Sequence, residues 1–416
     1  MFPIVTAYRS ASLGESPLRL LSALCAAFAI VLTLAQPAGA QPAPGQPAAT
    51  AKPPPLVPLE QAFLKAATAL FESIPAAQGR TVIVIDPLVD GVTGIQSVAT
   101  RNFDRRIAQL VAERYRHIEI AALTPENVAR ARYVFIGTFN TINNAGQPTG
   151  PRDAFWICFA LVDKQSKTVH ARSVARATLS DVDIAPASFF ADTPVWGLDS
   201  ATTAYIETCQ RSKPGDLVSA AYLDQLPAAA RIREATAAYE AGDARRALML
   251  YREVRATEAG DQIRTLNGVY LSLTALGEKE AAATAFAQLV EGGLKLGRLG
   301  VLFLFQRGTT DFNEDARVSA QYPAWISEIA ARAGAADTCL QVVGHASRTG
   351  GEPFNERLSL DRAQRIVMLL SERAPALGAR LKPAGSGSRE VLVGLPRDDA
   401  STALDRRVEF KPTSCA

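Results

Sequence analysis

The stretch that decides the fold is GHASRTGGEPFNERLSLDRA, residues 344–363. Immediately before it, residues 339–343 (CLQVV) are apolar and partly β-branched, which predicts a short strand. Two adjacent glycines predict a loop, and Pro353 suits the first turn of a helix because its missing N–H would be unpaired there anyway. The sequence therefore predicts a strand, a glycine-rich loop and a helix that runs to about Ser371.

Polar side chains share the apolar face of this predicted helix. At about 100° per residue, one stripe collects the apolar residues Leu358, Ala363, Ile366 and Leu370. Three polar residues fall on the same stripe, at its N-terminal end: Asn355, Ser359 and Arg362. An inward-facing arginine needs an acidic partner, since an unpaired buried charge is costly. That partner is either an acid of the protein or a ligand carboxylate; the alternative is a guanidinium that extends past the strand end to water.

These motifs resemble the OmpA-like domain family, which includes OmpA, MotB and Pal. The resemblance is carried by N-x-x-L-S-x-x-R-A at residues 355–363, by the preceding glycine-rich loop, by G-S-G-S at residues 385–388 and by D-R-R-V-E-F at residues 405–410. It covers about residues 298–416 and implies an α+β domain with a mixed sheet and helices on one face. Such domains bind peptidoglycan non-covalently by gripping the diaminopimelate of the stem peptide.

The resemblance implies a ligand site in which Arg362 holds the ligand's carboxylate and Asn355 shapes the pocket. The predicted ligand-binding residues are Ser347, Arg348, Gly350, Asn355, Ser359 and Arg362. Ser347 stands where the family usually has the aspartate that meets the ligand's ammonium group. Either Ser347 offers a weaker, neutral hydrogen bond instead, or Glu352 reaches into the pocket. Asp405 also stands where the family usually has asparagine.

The N-terminus predicts export. Two arginines precede an apolar run at residues 20–35, and A-G-A at residues 38–40 is typical of a cleavage site, so residues 1–40 are expected to be removed before Gln41. The alternative, a transmembrane anchor, would need a longer run. Export places the protein in the periplasm, associated with the cell wall or outer membrane. A net charge of +3 gives no reason to expect nucleic acid as a partner.

Four cysteines follow the predicted signal peptide, and an oxidising compartment favours disulfides among them. The OmpA-like resemblance implies that Cys339 is the first residue of one strand and that Cys415 follows the last strand. If those two strands are antiparallel neighbours, the two thiols meet. We therefore expect Cys339–Cys415 and, by elimination, Cys158–Cys209. No metal or cofactor is expected, because there is no C-x-x-C motif and the three histidines lack ligand spacing.

Three further segments precede the OmpA-like region. Residues 41–58 are rich in proline and alanine and predict a linker. Residues 59–213 have the order β-α-β-α-β-β-β and resemble envelope modules of the CsgG, TolB N-terminal and LpoB kind. Residues 214–297 contain a loose repeat with glycines 35 residues apart, Gly242 and Gly277, and resemble all-α tetratricopeptide (TPR) repeats. The repeats predict either a groove for a protein partner or a helical spacer.

The predicted fold class is therefore multi-domain: an α/β N-terminal module, an all-α TPR-like middle and an α+β C-terminal domain. No enzymatic activity is expected, because no Ser/His/Asp or Cys/His set is apparent. Asp86 and Asp90 are interpreted as a strand end and a turn cap rather than a catalytic pair. The expected function is peptidoglycan binding that tethers an envelope complex. The alternative is an envelope scaffold whose C-terminal domain binds protein instead.

Overall fold

A computed structural model describes residues 53–76, 79–180, 182–315, 319–335 and 339–415. The predicted signal peptide, its cleavage site and the linker up to residue 52 lie outside these ranges. Two mixed sheets and the helices that cover them make up the described chain. The expected combination of helices with mixed sheets is thus confirmed.

The first sheet has six strands: Leu56–Val57 (β1), Thr81–Ile85 (β2), Ile118–Ala121 (β3), Tyr133–Ile142 (β4), Ala154–Asp163 (β5) and Thr168–Ala177 (β6). Their order across the sheet is β1-β6-β5-β4-β2-β3. β2 is parallel to β3 and β4, whereas β5 is antiparallel to β4 and β6. The continuous apolar runs of β2 and β4 follow from burial, because separate hydrophobic clusters cover the two faces of the sheet.

Six helices belong to this part of the chain: Leu59–Phe71 (α1), Val98–Arg114 (α2), Pro125–Arg130 (α3), Ser188–Asp192 (α4), Ser200–Gln210 (α5) and Ala220–Leu223 (α6). α3 begins with a side-chain cap, because the Thr124 side chain accepts a hydrogen bond from the Asn127 amide at 3.2 Å. The prediction of a linker up to Pro58 is wrong for its last part. Leu56 and Val57 form β1, where they pair with the otherwise free edge of β6.

Two helical hairpins follow: Leu226–Glu240 (α7) with Ala244–Arg255 (α8), and Ile263–Ala275 (α9) with Lys279–Lys295 (α10). Gly242 and Gly277 lie in the two turns with φ of +80° and +77°, a backbone conformation that glycine adopts without strain. The repeated glycine therefore marks the same helix–turn–helix geometry twice. Tyr251 and Phe286, the repeat's aromatic positions, are both buried.

The second sheet has five strands: Val195–Trp196 (β7), Leu299–Val301 (β8), Cys339–Gly344 (β9), Leu381–Gly385 (β10) and Val408–Thr413 (β11). Its order is β10-β9-β11-β8-β7, with β10 parallel to β9 and the other neighbours antiparallel. Within the described residues, three helices accompany it: Tyr322–Ala335 (α11), Glu352–Arg373 (α12) and Pro375–Gly378 (α13).

Both expected disulfides are present. β9 and β11 are antiparallel neighbours with Cys339 opposite Thr413, so Cys415 lies just beyond and bonds to Cys339. Cys158 on β5 bonds to Cys209 on α5, which ties the first sheet to a helix on one of its faces. The predicted pairing is confirmed in both cases.

The two sheets are not carried by independent modules. β7 lies between residues 59 and 213 of the chain, yet it pairs with β8 and extends the second sheet. Trp196 of β7 also donates from its indole nitrogen to the Thr93 carbonyl at 3.0 Å. One hydrophobic cluster extends from Phe189 through both helical hairpins to Phe410. Residues 53–416 accordingly form one compact unit, and a layout of separate domains is not confirmed.

Asp405 organises the loop that joins the two sheets. Its fully buried carboxylate accepts hydrogen bonds from the amides of Leu392, Val393 and Gly394 at 2.6, 2.8 and 2.8 Å. The same loop contacts the first sheet, since Arg152 donates to the Val391 carbonyl at 3.3 Å. Two carboxylate oxygens accept all three amide bonds, which the single oxygen of an asparagine side chain would not do equally well.

Candidate functional site

A cleft of about 600 Å³ lies where the loop after β9, the start of α12 and the loop after β8 meet. Residues 398 and 406, from the segment between β10 and β11, close one side of it. The lining residues are Phe305, Arg307, Gly308, Ala346, Ser347, Thr349, Gly350, Phe354, Asn355, Leu358, Arg362, Asp398 and Arg406. The stretch on which the fold prediction was based thus supplies one wall of the cleft.

Two glycines of this stretch allow its geometry. A Cβ on Gly344, at the end of β9, would lie 1.9 Å from the Ser359 carbonyl oxygen, so only glycine lets the strand end approach α12 so closely. Gly350 has a φ of +87°, the left-handed region that glycine adopts without strain. The loop can therefore turn back and place Ser347 and Thr349 beside the first turn of α12.

Arg362 faces inward, as the helix periodicity predicted, and it is only 5% exposed. Its Nε donates to the Thr309 carbonyl at 2.9 Å and its Nη2 donates to the Gln306 carbonyl at 3.0 Å. Its guanidinium carbon lies 4.8 Å from the centre of the Phe305 ring. Carbonyl dipoles and an aromatic face orient the cation, but they do not neutralise its charge.

No carboxylate of the described residues forms an ion pair with Arg362. Its Nη1 has no hydrogen-bond partner in the described ranges and is not among the buried unpaired atoms, so solvent in the cleft reaches it. Burial lowers the pKa of Arg362 to about 10, with a further contribution from the charge of Arg406 and an opposing one from Asp398. The guanidinium is still charged at pH 7, so the wall of the cleft presents an uncompensated cation.

Some of the other predicted residues line the cleft and some do not. Asn355 and Ser347 are buried and bonded to each other, since the Asn355 side-chain amide donates to the Ser347 carbonyl at 3.2 Å. The Ser347 hydroxyl is paired with that of Thr349 at 2.9 Å. Ser359 does not line the cleft; its hydroxyl donates to the Glu356 carbonyl and accepts from the Gly387 amide, both at 2.9 Å. Ser359 therefore fastens the G-S-G-S loop to α12.

Arg348 and Glu352 also lie away from the cleft lining. The Glu352 carboxylate accepts a hydrogen bond from the Ser388 amide at 3.1 Å and lies 3.6 Å from Arg389. It points to the G-S-G-S loop, so the expectation that Glu352 takes the place of the missing aspartate is wrong. Arg348 is half-buried and forms no ion pair within the described chain.

Sequence reasoning missed the acid of the cleft, Asp398. Its Oδ1 pairs with Nη1 of Arg406, and its Oδ2 lies 3.3 Å from Nε of Arg307. Arg406 belongs to the D-R-R-V-E-F motif, but its neighbour Arg407 turns the opposite way and is fully buried. The alternation of side chains in an extended segment could have separated the two arginines, whereas the position of Asp398 depends on how the loop folds.

Behind the cleft, Arg407 belongs to a buried ion cluster. Its Nε donates to Glu409 at 2.6 Å, and Glu409 also accepts from Arg298 at 2.8 Å. His345, Glu390 and Glu409 offer donor atoms within 4.8 Å of one another, the arrangement of a possible metal site. Glu409 is, however, already bonded to two guanidinium groups, whose positive charges oppose a metal cation beside it. The cluster is best described as structural ion pairing.

Asp90 has the structural role that its position suggested. Its Oδ1 accepts from the Val92 and Thr93 amides at 2.9 and 2.7 Å, so it caps a turn. Asp86 is 5% exposed and accepts a hydrogen bond from the Tyr222 hydroxyl at 2.9 Å. Burial raises the pKa of Asp86 to about 6, although the charge of Arg264 and the hydrogen bond from Tyr222 both act to lower it.

We expect Asp86 to make the protein less stable as pH rises from 4 to 7. In that interval the unfolded carboxyl, with a pKa of about 3.9, has lost its proton while the folded carboxyl keeps it up to about pH 6. Between pH 4.5 and 7.5 the loss amounts to about 2 kcal/mol, and it should be absent in Asp86→Asn. Urea unfolding at pH 4.5 and 7.5 measures it, with the exposed Asp361→Asn as control. Parallel pH profiles for Asp86→Asn and the wild type would contradict the expectation.

Comparisons with known proteins leave the family of this chain open. No family model matches it, and no curated protein matches it. Among solved structures, the periplasmic domain of Helicobacter pylori MotB (residues 78–256) is 19% identical, with 29% of this chain and 76% of that chain covered and a TM-score of 0.23. The peptidoglycan-associated lipoprotein from Burkholderia pseudomallei is 23% identical, with 27% of this chain and 89% of that chain covered and a TM-score of 0.22. An outer membrane protein from Borrelia burgdorferi B31 is 21% identical, with 27% of this chain and 86% of that chain covered and a TM-score of 0.21.

These TM-scores are low, so the likenesses do not establish the fold or the function of this chain. They concern proteins of the group that the C-terminal motifs resemble, whereas the TPR and CsgG-type resemblances have no counterpart among them. None of the helices in the described ranges combines the length and apolarity needed to cross a bilayer.

Proposed function

We propose that this protein binds peptidoglycan non-covalently through the Arg362 cleft and so attaches an envelope complex to the cell wall. The observation that carries the proposal is the state of Arg362: a buried guanidinium, oriented by two carbonyls and a ring, with one nitrogen open to the cleft. A carboxylate that enters the cleft would meet this nitrogen and compensate the charge. The stem peptide of peptidoglycan carries such carboxylates.

The proposal extends to location and activity. A protein that binds the cell wall acts in the periplasm, and the cleft requires no catalytic step for that role. The charged contact supplies specificity rather than turnover, because the Ser347 and Thr349 hydroxyls of the cleft are paired with each other and Asp398 is paired with arginines.

A second candidate function is that of an envelope scaffold whose cleft receives a carboxylate of a protein partner. Ser347 favours this candidate, since it leaves the loop without the acid that the OmpA-like resemblance leads one to expect. The two helical hairpins, α7–α8 and α9–α10, would then offer a second contact surface for the same partner.

Co-sedimentation with insoluble sacculi distinguishes the two candidates. We expect the wild-type protein to sediment and Arg362→Ala to bind on the order of 30-fold more weakly, because a charged hydrogen bond contributes about 1.5–3 kcal/mol. Arg357→Ala is the matched control: Arg357 lies on the same helix but is exposed and outside the cleft. Circular dichroism of each variant confirms that the fold is retained.

The outcomes separate cleanly. Loss of sedimentation in Arg362→Ala alone supports cell-wall binding through the cleft. If both variants sediment like the wild type, the wall contact lies elsewhere on the protein. If the wild-type protein itself stays in the supernatant, the scaffold candidate is favoured.

A further inference from the structure

The cleft carries a surplus of positive charge. Three arginines and one aspartate line it: Arg307, Arg362, Arg406 and Asp398. Arg362 has no carboxylate partner among the described residues. The surplus of two positive charges is concentrated around a concave surface, where low-dielectric walls strengthen the field. A ligand with a net negative charge is therefore favoured, and a cationic group in the same place is opposed.

Asp398 is the only acid among the described residues that line the cleft, and both of its oxygens are already engaged. One is paired with Arg406 and the other lies 3.3 Å from Arg307. Arg406 is held in place by two more contacts, to the Thr402 hydroxyl at 3.2 Å and the Asp399 carbonyl at 2.9 Å. An ammonium group that approached Asp398 would meet two guanidinium groups at the same time, so this acid does not form an ammonium site.

The neutral acceptors of the cleft do not replace an acid. The Ser347 hydroxyl is paired with Thr349 at 2.9 Å, and the Asn355 amide is oriented by its bond to the Ser347 carbonyl. Glu352, the nearest acid in sequence, is held against Ser388 and Arg389 outside the cleft. Within the described chain, the lining of the cleft thus offers hydrogen bonds but no free negative charge.

We propose that the cleft selects a carboxylate whose neighbouring amine is uncharged, and that Ser347 is a residue that determines this selectivity. In a stem peptide, that chemistry is a diaminopimelate residue whose side-chain amine is acylated, as in a cross-link, rather than one that is free and protonated. The inference rests on the proposed function, because it concerns the ligand of the same site. The inference therefore predicts that the protein binds cross-linked stem peptides more tightly than uncross-linked ones.

Three soluble stem peptides test the selectivity by calorimetric titration of the full-length protein. One has a free diaminopimelate side-chain amine, one has that amine acetylated, and one is acetylated with the adjacent carboxylate converted to an amide. We expect the acetylated peptide to bind on the order of tenfold more tightly than the free amine. The peptide without the carboxylate should show no measurable binding.

Ser347→Asp is the matching variant, because it adds a carboxylate to the lining of the cleft that contains Arg362. We expect it to bind the free amine at least as tightly as the acetylated peptide, while Ser347→Asn, similar in size and neutral, keeps the wild-type preference. In the wild-type protein, equal or tighter binding of the free amine would overturn the inference and leave the proposed function intact. If none of the three peptides binds, the proposed function fails and the inference fails with it.

Discussion

Replacement of Glu409 by glutamine is expected to lower the free energy of unfolding at pH 7 by about 3–5 kcal/mol. Glu409 is fully buried and pairs with Arg407 at 2.6 Å, with Arg298 at 2.8 Å and with Lys411 at 3.3 Å. Arg298 and Lys411 are partly exposed and can turn to water, but Arg407 cannot. The variant therefore leaves the Arg407 guanidinium buried without its paired carboxylate, in contact with two carbonyl oxygens and the Trp196 ring.

The pH dependence of this effect has a definite sign. Burial opposes ionisation of Glu409, but the contact with His345 and the charge of Arg407 outweigh it and hold the pKa of Glu409 well below its usual range. A depressed pKa stabilises the folded state above the unfolded value, about 4.3 for glutamate. The difference between wild type and Glu409→Gln should therefore be complete at pH 7 and shrink as the pH falls below about 4.

Glu390→Gln is the matched control for this prediction. Glu390 contacts Lys411 at 3.3 Å and Arg298 at 3.7 Å in the same cluster, but its side chain is half exposed. Exposed pairs contribute about 0–1 kcal/mol, so guanidinium chloride unfolding should barely distinguish Glu390→Gln from the wild type. If Glu409→Gln unfolds at the same denaturant concentration as the wild type, the buried charge of Arg407 is neutralised by a group other than Glu409 and the prediction is wrong.

Removal of the Cys339–Cys415 disulfide is also expected to lower the free energy of unfolding by a large amount. The bond closes a loop of 76 residues that contains α12, β10 and the cleft segments after it. Loss of such a constraint on the unfolded chain costs about 4 kcal/mol. We expect the double variant Cys339→Ser/Cys415→Ser to unfold at a correspondingly lower denaturant concentration than the oxidised wild type.

Reduction provides the control for the disulfide. Cys415 is exposed, whereas Cys158 and Cys209 are fully buried, so mild reductant should open Cys339–Cys415 first. The mildly reduced wild type should then unfold like the double variant. An oxidised wild type within about 1 kcal/mol of the double variant would show that the constraint adds little to the folded state.

Helical periodicity carried most of what could be predicted at the candidate site. It placed Arg362 and Asn355 on the inward face of α12, where both are buried. That face depends on local pattern, which a single sequence contains. The Cys339–Cys415 pair was implied instead by the OmpA-like resemblance, on the condition, met in the structure, that the two strands are antiparallel neighbours.

The features that could not be predicted depend on contacts between distant segments. β7 is two residues long, so Val195 and Trp196 carry no periodic signal of a strand that completes another sheet. Asp398 lies in a loop without regular structure, and only the folded chain brings it to Arg406 and Arg307. Glu352 was one of two alternatives for the missing aspartate, but the Ser388 amide and hydroxyl hold it outside the cleft.

The most direct test of Arg362 as the carboxylate contact is its own Nε–H resonance. Arginine side chains labelled with 15N give one signal for each ordered Nε–H, and the signal of Arg362 is identified by its loss in Arg362→Lys. Saturating acetylated stem peptide should shift this signal and leave that of the exposed Arg357 unchanged. If the peptide binds while the Arg362 signal stays in place, the cleft is not the ligand site and the central claim is wrong.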